Sequence, residues 1–164
     1  MRDDVMTDAM QLSEATSQWM TENGFDPAHP AQTGRHEDTA LMAACRNDEE
    51  NIALDLLRLP AEAVGLNHRN MDGTNALWAA VVANNFFLAD NLLAAGIDIN
   101  NLNDNGASAL MYASSAGKTE WVSYLLDMGA DTHAETLDGF TALDLAANID
   151  CLRLMRHAVQ SATA

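Results

Sequence analysis

Residues 72–80 read DGTNALWAA, and the rest of the chain is organised around that stretch. It returns 33 residues later at 105–113 as NGASALMYA, and after another 33 at 138–146 as DGFTALDLA. A looser copy, EDTALMAAC, opens at residue 37, 36 residues ahead of its matching positions. A fixed period of this length marks a stacked-repeat chain, in which each unit buries its apolar face against its neighbours.

Composition sets the outer limits. Of 164 residues, 48% are apolar, which suits a packed domain rather than a disordered polymer. Lys plus Arg number 8 against 24 Asp plus Glu, a net charge of −16. Such a surface repels phosphate backbones and anionic lipid and favours a partner with a basic face, so nucleic-acid and membrane partners are not expected. No apolar run approaches the ~18 residues that a membrane span needs. The opening MRDDVMTDAM lacks the basic and apolar regions of a signal peptide, so the cytoplasm is the expected location. Cys45 and Cys151 fall in the first and last repeats, where stacking holds them beyond the ~7 Å Cα separation a disulfide tolerates.

In chain order, apolar residues at Val5, Ala9, Leu12, Ala15, Trp19 and Met20 predict a helix over 3–22, stopped by Asn23-Gly24 and Pro27. With residues 1–24 it forms an N-terminal cap. A loop covers 25–36. Full repeats occupy 36–69, 71–102 and 103–135, and a C-terminal capping repeat occupies 136–160. The first repeat opens at Thr39, a good helix N-cap. It carries an insertion around Pro60, as the 25–36 connection carries another; each is three residues longer than its later counterpart. In the second repeat, Ala76 to Val82 makes an inner helix, Asn84-Asn85 the turn and Phe86 to Ala94 the outer helix. The third copies it with Gly106, Gly117 and Gly129. The last starts normally at Gly139, with its turn cut by about three residues. Arg153, Arg156 and His157 suit the C-terminal end of its final helix, and residues 161–164 read as a frayed tail.

These units resemble ankyrin repeats. That family's signature is a glycine turn, T-P-L-H-x-A and two antiparallel helices. The tetrads here are Thr39-Ala40-Leu41-Met42, Asn75-Ala76-Leu77-Trp78, Ser108-Ala109-Leu110-Met111 and Thr141-Ala142-Leu143-Asp144. A second signature appears as Gly96-Ile97-Asp98-Ile99-Asn100 and Gly129-Ala130-Asp131. The resemblance implies an all-α fold, an ankyrin-repeat solenoid of helix-turn-helix units with short β-turn fingers, in one domain over 1–164. Alanine replaces the proline throughout. Met42, Trp78, Met111 and Asp144 replace the histidine that ties neighbouring turns together in the family, which leaves bulky groups near the concave face.

The resemblance also implies a partner-binding groove lined by finger tips and inner helices. Carried over by position, repeat one contributes Arg35, His36, Asp38, Arg46 and Asn47. Repeat two contributes Met71, Asp72, Thr74, Trp78, Val82 and Leu102. Repeat three contributes Asp104, Asn105, Met111, Tyr112, Ser115 and Glu135, and the last unit Leu137, Phe140 and Asp144. Met71, Trp78, Met111, Leu137 and Phe140 then form an apolar row rimmed by acids, a pattern that marks interaction sites. The competing reading has Trp78 and Met111 filling the space the histidines leave.

The function expected is a monomeric protein-binding module: an adaptor, inhibitor or chaperone-like regulator of one partner, an immunity-type inhibitor of a toxin being one version. No enzyme activity and no cofactor are expected, since glycine-rich phosphate loops, HExxH and GxSxG are absent. Cys45 with His36 is the one imaginable nucleophilic pair; the plainer reading is a core-flanking thiol and a turn histidine. Nine Met and five His raise a metal or redox role, but His29, His36, His68, His133 and His157 are scattered without ligand spacing.

Overall fold

The computed structural model describes residues 11–163, and among them it is helical with no strand. They fall into two compact units: residues 11–71 with Asn75–Ile97, and Asp72–Thr74 with residues 98–163.

The first unit begins with α1, Glu14–Glu22. The helix expected over 3–22 starts later among the described residues, because Ser13 caps it by accepting a hydrogen bond from the Thr16 amide. The part of that expectation on residues 3–10 lies outside the described residues. A short 3-10 turn at Arg35–Glu37 precedes α2, Ala40–Arg46, capped by Thr39. Then come α3, Glu50–Leu56, and α4, Ala61–Val64, which is the Pro60 insertion. Helices α5, Ala76–Val82, and α6, Phe86–Ala94, match the sequence reading residue for residue. Asn75 and Asn85 cap them through side-chain oxygens.

Asp48 and Asn84 take φ of 58° between inner and outer helices. Short polar side chains tolerate that left-handed turn better than most. Inner helix α2 packs on inner helix α5, and outer helix α3 on outer helix α6. Leu41, Met42, Leu56, Leu77, Leu88 and Leu92 are fully buried, each contributing roughly 1.5–3 kcal/mol of apolar transfer.

The second unit holds α7, Ala109–Ser115, capped by Ser108, and α8, Thr119–Asp127, with Gly117 at φ +70° between them. Helix α9, Ile149–Thr163, packs on α8. The last repeat has no inner helix: residues 142–145 form a single turn, closed by the Leu145 amide on the Thr141 carbonyl at 3.1 Å. Thr141 and Asp144 cap each other reciprocally, at 3.0 and 3.3 Å. Ser114 fastens this turn to α7, its hydroxyl donating to the Ala142 carbonyl at 2.7 Å and its carbonyl accepting from the Ala147 amide at 3.0 Å. The residues cut from this unit leave too little chain for a second turn of helix. The expected frayed tail is also corrected. Helix α9 continues through Thr163, so Arg153, Arg156 and His157 sit before its last turn, which holds no base.

Candidate protein-interaction surface

The first finger is a tight turn over residues 34–38. The Asp38 amide donates to the Arg35 carbonyl at 3.1 Å, and the Gly34 amide to the Asp38 carbonyl at 2.9 Å. Its two central residues, His36 and Glu37, both have left-handed φ, 61° and 60°, a conformation that costs a residue with a Cβ roughly 1–2 kcal/mol. Polar contacts hold it there. Asp38 is buried and takes the forked guanidinium of Arg46 together with the Asn70 side-chain Nδ2, which donates at 2.9 Å. His68 Nε2 reaches the Glu37 carbonyl at 2.7 Å, and the Met71 amide donates to the His36 carbonyl at 3.1 Å.

Arg35, His36, Asp38, Arg46 and Asn47, five positions predicted for repeat one, line one cleft of about 480 Å³. Glu22, Asn23 and Phe25 line it too, and sequence reasoning missed them. The Phe25 ring stacks on Trp19 at 6.1 Å between centroids and lies against Gly34, where a Cβ would meet it at 3.1 Å. The available signal was an aromatic residue directly after the helix-stopping Gly24.

In the second unit, one finger spans 103–107, with the Asn103 amide on the Ala107 carbonyl at 2.8 Å. The last spans 136–140, with Thr136 on Phe140, also at 2.8 Å. Backbone bonds join successive fingers: the Asp104 amide donates to the Asp72 carbonyl and the Leu137 amide to the Asn105 carbonyl, both at 3.0 Å. Gly106 is required where they meet: its φ is +79°, and a Cβ there would lie 3.1 Å from the Leu137 nitrogen.

Three of the expected groove residues are corrected. Met111 is 1% exposed and Trp78 8%, so they belong to the packed interior, as Met42 does. Each stands three residues after its cap, its amide tied to that cap's side chain, and its side chain turns inward. Asp38 is likewise a buried structural anion. Of the expected groove residues, the exposed apolar ones are Met71 and Val82 in the first unit, and Leu102, Leu137 and Phe140 in the second; Phe87, Met128 and Ile149, outside that set, are exposed as well. Leu137 is 79% exposed and Phe140 49%. Asp72, Asp104, Asn105, Ser115, Glu135 and Asp144 are exposed beside them in sequence, while Thr74 and Tyr112 are half-buried.

Catalytic chemistry finds no footing at Cys45. The thiol is fully buried, and that burial pushes its pKa up to about 12, so it stays protonated while His36 faces solvent. Among the described residues no three of His, Cys, Asp and Glu are grouped to hold a metal ion, and no helix is long and apolar enough to cross a membrane.

Comparison with known proteins agrees with this geometry. The family model of ankyrin repeats (three copies) matches residues 83–162. The B-cell lymphoma 3 protein homolog of Mus musculus is 32% identical over 136 residues, covering 82% of this chain and 30% of that protein. A putative ankyrin repeat protein of Acanthamoeba polyphaga mimivirus is 30% identical over 110 residues, 65% of this chain and 15% of that protein. Ankyrin repeat and SAM domain-containing protein 6 of Rattus norvegicus is 37% identical over 83 residues, 48% of this chain and 9% of that protein. The chain therefore spans less than a third of the length of these relatives. Ankyrin repeats are protein–protein interaction modules, typically without enzymatic activity. With its 33-residue period, its glycine turns, its paired helices and these likenesses, the chain belongs to the ankyrin repeat family.

Proposed function

We propose that this chain binds one partner protein through its fingers and the adjoining inner helices, as an adaptor, inhibitor or chaperone-like regulator. The observation that carries the reading is the set of large apolar side chains left exposed at finger positions: Met71, Leu102, Leu137 and Phe140. Solvent-exposed apolar groups rimmed by polar ones characterise binding surfaces, and a few such anchors supply most of the affinity. The charge of −16 supports a basic partner face and fast, salt-sensitive association. Buried free thiols at Cys45 and Cys151 suit a reducing compartment such as the cytoplasm.

The test is capture from native lysate at low and moderate salt with three baits: wild type, Met71→Ser/Val82→Ser and Leu137→Ser/Phe140→Ser. These positions are exposed, so the variants keep the fold. A protein held by wild type and lost with either variant supports the reading. A protein held equally by all three moves the contact away from the fingers.

A further inference from the structure

We infer that the cleft beside the first finger is a carboxylate-binding site, which seats an acidic side chain of the partner protein with an apolar neighbour against Phe25. The inference rests on the protein-binding reading above and specifies one contact within it. The cleft lies wholly in the first unit. Glu22 and Phe25 reach it from the end of α1 and its connection, Arg35 and His36 from the finger, and Ala43 and Arg46 from α2. Cations are scarce in this chain, with 8 Lys plus Arg against 24 Asp plus Glu. A cation so outnumbered ordinarily finds a carboxylate within the fold, as Arg46 does on Asp38 and Arg58 on Asp55. Arg35 does not. Among the described residues its guanidinium enters no hydrogen bond or ion pair, and neither does the His36 ring beside it. Glu22 lines the same cleft without pairing to Arg35 and takes the Gln18 amide instead, at 2.9 Å. The backbone that carries Arg35 is nevertheless fixed. Its carbonyl takes the Asp38 amide at 3.1 Å, and Asp38 is itself anchored by Arg46 and Asn70. The donors are thus mounted before a ligand arrives, which lowers the ordering cost of binding.

Electrostatics select the occupant. Arg46 is neutralised by Asp38, so the guanidinium left to a ligand is that of Arg35. Its parallel N–H groups match the two oxygens of a carboxylate, and the His36 ring offers a further N–H. A partner cation placed here would meet like charge. An apolar group alone would desolvate the guanidinium without compensation. A carboxylate satisfies the donors, while Phe25, held between Trp19 and Gly34, and Ala43 give apolar surface to the carbon atoms beside it. The chain's charge of −16 repels a bare anion, so the carboxylate arrives on a segment whose other residues are neutral or basic. In such a segment one acidic residue on Arg35 also fixes register, because sliding the segment sets a cation against the guanidinium.

The probe is 3-phenylpropionate, which joins one carboxylate to one ring, titrated into the full chain labelled for amide NMR. Expected are saturable shifts centred on residues 22–25, 35–38 and 43–47, with a Kd on the order of millimolar. The matching amide, 3-phenylpropanamide, keeps size and ring but lacks the charge and should bind about three- to ten-fold more weakly. Arg35→Gln should weaken the acid by a similar factor. Equal binding of acid and amide, no loss with Arg35→Gln, shifts centred elsewhere or no saturable shift overturns the inference. In the lysate capture, Arg35→Glu serves as a fourth bait and should lose the protein that wild type holds. If that protein is held equally by Arg35→Glu but lost with Leu137→Ser/Phe140→Ser, the inference falls and the protein-binding reading stands. If no bait captures anything selectively, that reading falls and this contact falls with it.

Discussion

The first and third fingers reach the same backbone pairing by different routes. The third uses glycine: Gly106 takes φ +79° without strain and leaves room for the next strand of chain. The first has Glu37 in the corresponding place and His36 before it, both left-handed. It is held by side chains instead, with buried Asp38 gripped by Arg46 and Asn70 while His68 reaches the Glu37 carbonyl. The difference teaches that finger geometry is imposed by pairing with the neighbour. Local preference decides only the cost, and a polar network can offset that cost.

The most severe break in this comparison is Asp38→Ala. It leaves Asn70 and part of Arg46 without their buried acceptor and should cost about 3 kcal/mol in urea unfolding. The same change at half-buried Thr74, the corresponding position one repeat on, should cost under about 1 kcal/mol. Next comes Gly106→Ala, where left-handed φ and backbone atoms at 3.1 to 3.3 Å oppose the new methyl. About 2 kcal/mol should be lost. Glu37→Gly runs the other way. It relieves the strained residue while adding chain entropy to the unfolded state, and a gain of about 0.5–1 kcal/mol should result. If Glu37→Gly destabilises, the strain assigned to the first finger is absent.

Acid provides the smallest and most local probe. Burial raises the Asp55 pKa, but hydrogen bonds from the Ser13 amide, Thr16, Arg58 and the Ser13 hydroxyl together outweigh it and hold the carboxyl below its ordinary 3.8. A depressed folded-state pKa means stability present above the unfolded value and lost as pH falls through the folded one. The Ser13 amide bond to Asp55, 2.8 Å, ties the cap of α1 to α3. Protection of the α1 amides from hydrogen exchange, relative to the intrinsic rate at each pH, should therefore fall below about pH 4, and Asp55→Asn should make it low at neutral pH as well.

Much of the fold was legible because it depends on short-range pattern. Thr39, Asn75 and Ser108 each precede an Ala-Leu pair and each cap a helix, so helix starts could be read directly. The 33-residue period fixed the order of units. Three features were not legible. The inner helix of the last repeat failed because its length, set by a small deletion, fell below what a second turn requires. The reach of α9 to Thr163 follows no terminal signal in the sequence, and its buried residues Cys151 and Met155 lie in its first half. Trp78 and Met111 carry two readings, groove contact or filler of the space the histidines leave, because a family position usually held by a polar residue carries no information on where a bulky apolar one will turn. Their burial depends on tertiary space, which no local motif encodes. At the candidate surface, the legible part was the finger positions Met71, Leu102, Leu137 and Phe140. The illegible part was the share of Glu22, Asn23 and Phe25 in the first cleft, since they come from the preceding helix and its connection rather than from the repeat that the motif marks.

The most direct test of finger-mediated binding is site-specific photo-crosslinking in cells producing the full chain. A benzophenone side chain is placed at Leu137, 79% exposed, or, as comparison, at Phe87 on the outer helix, 52% exposed. The account predicts one discrete crosslinked partner from position 137, lost at Leu137 when Phe140→Ser is added, and none from position 87. Crosslinking from position 87 with none from 137 would contradict it and assign recognition to the outer helices.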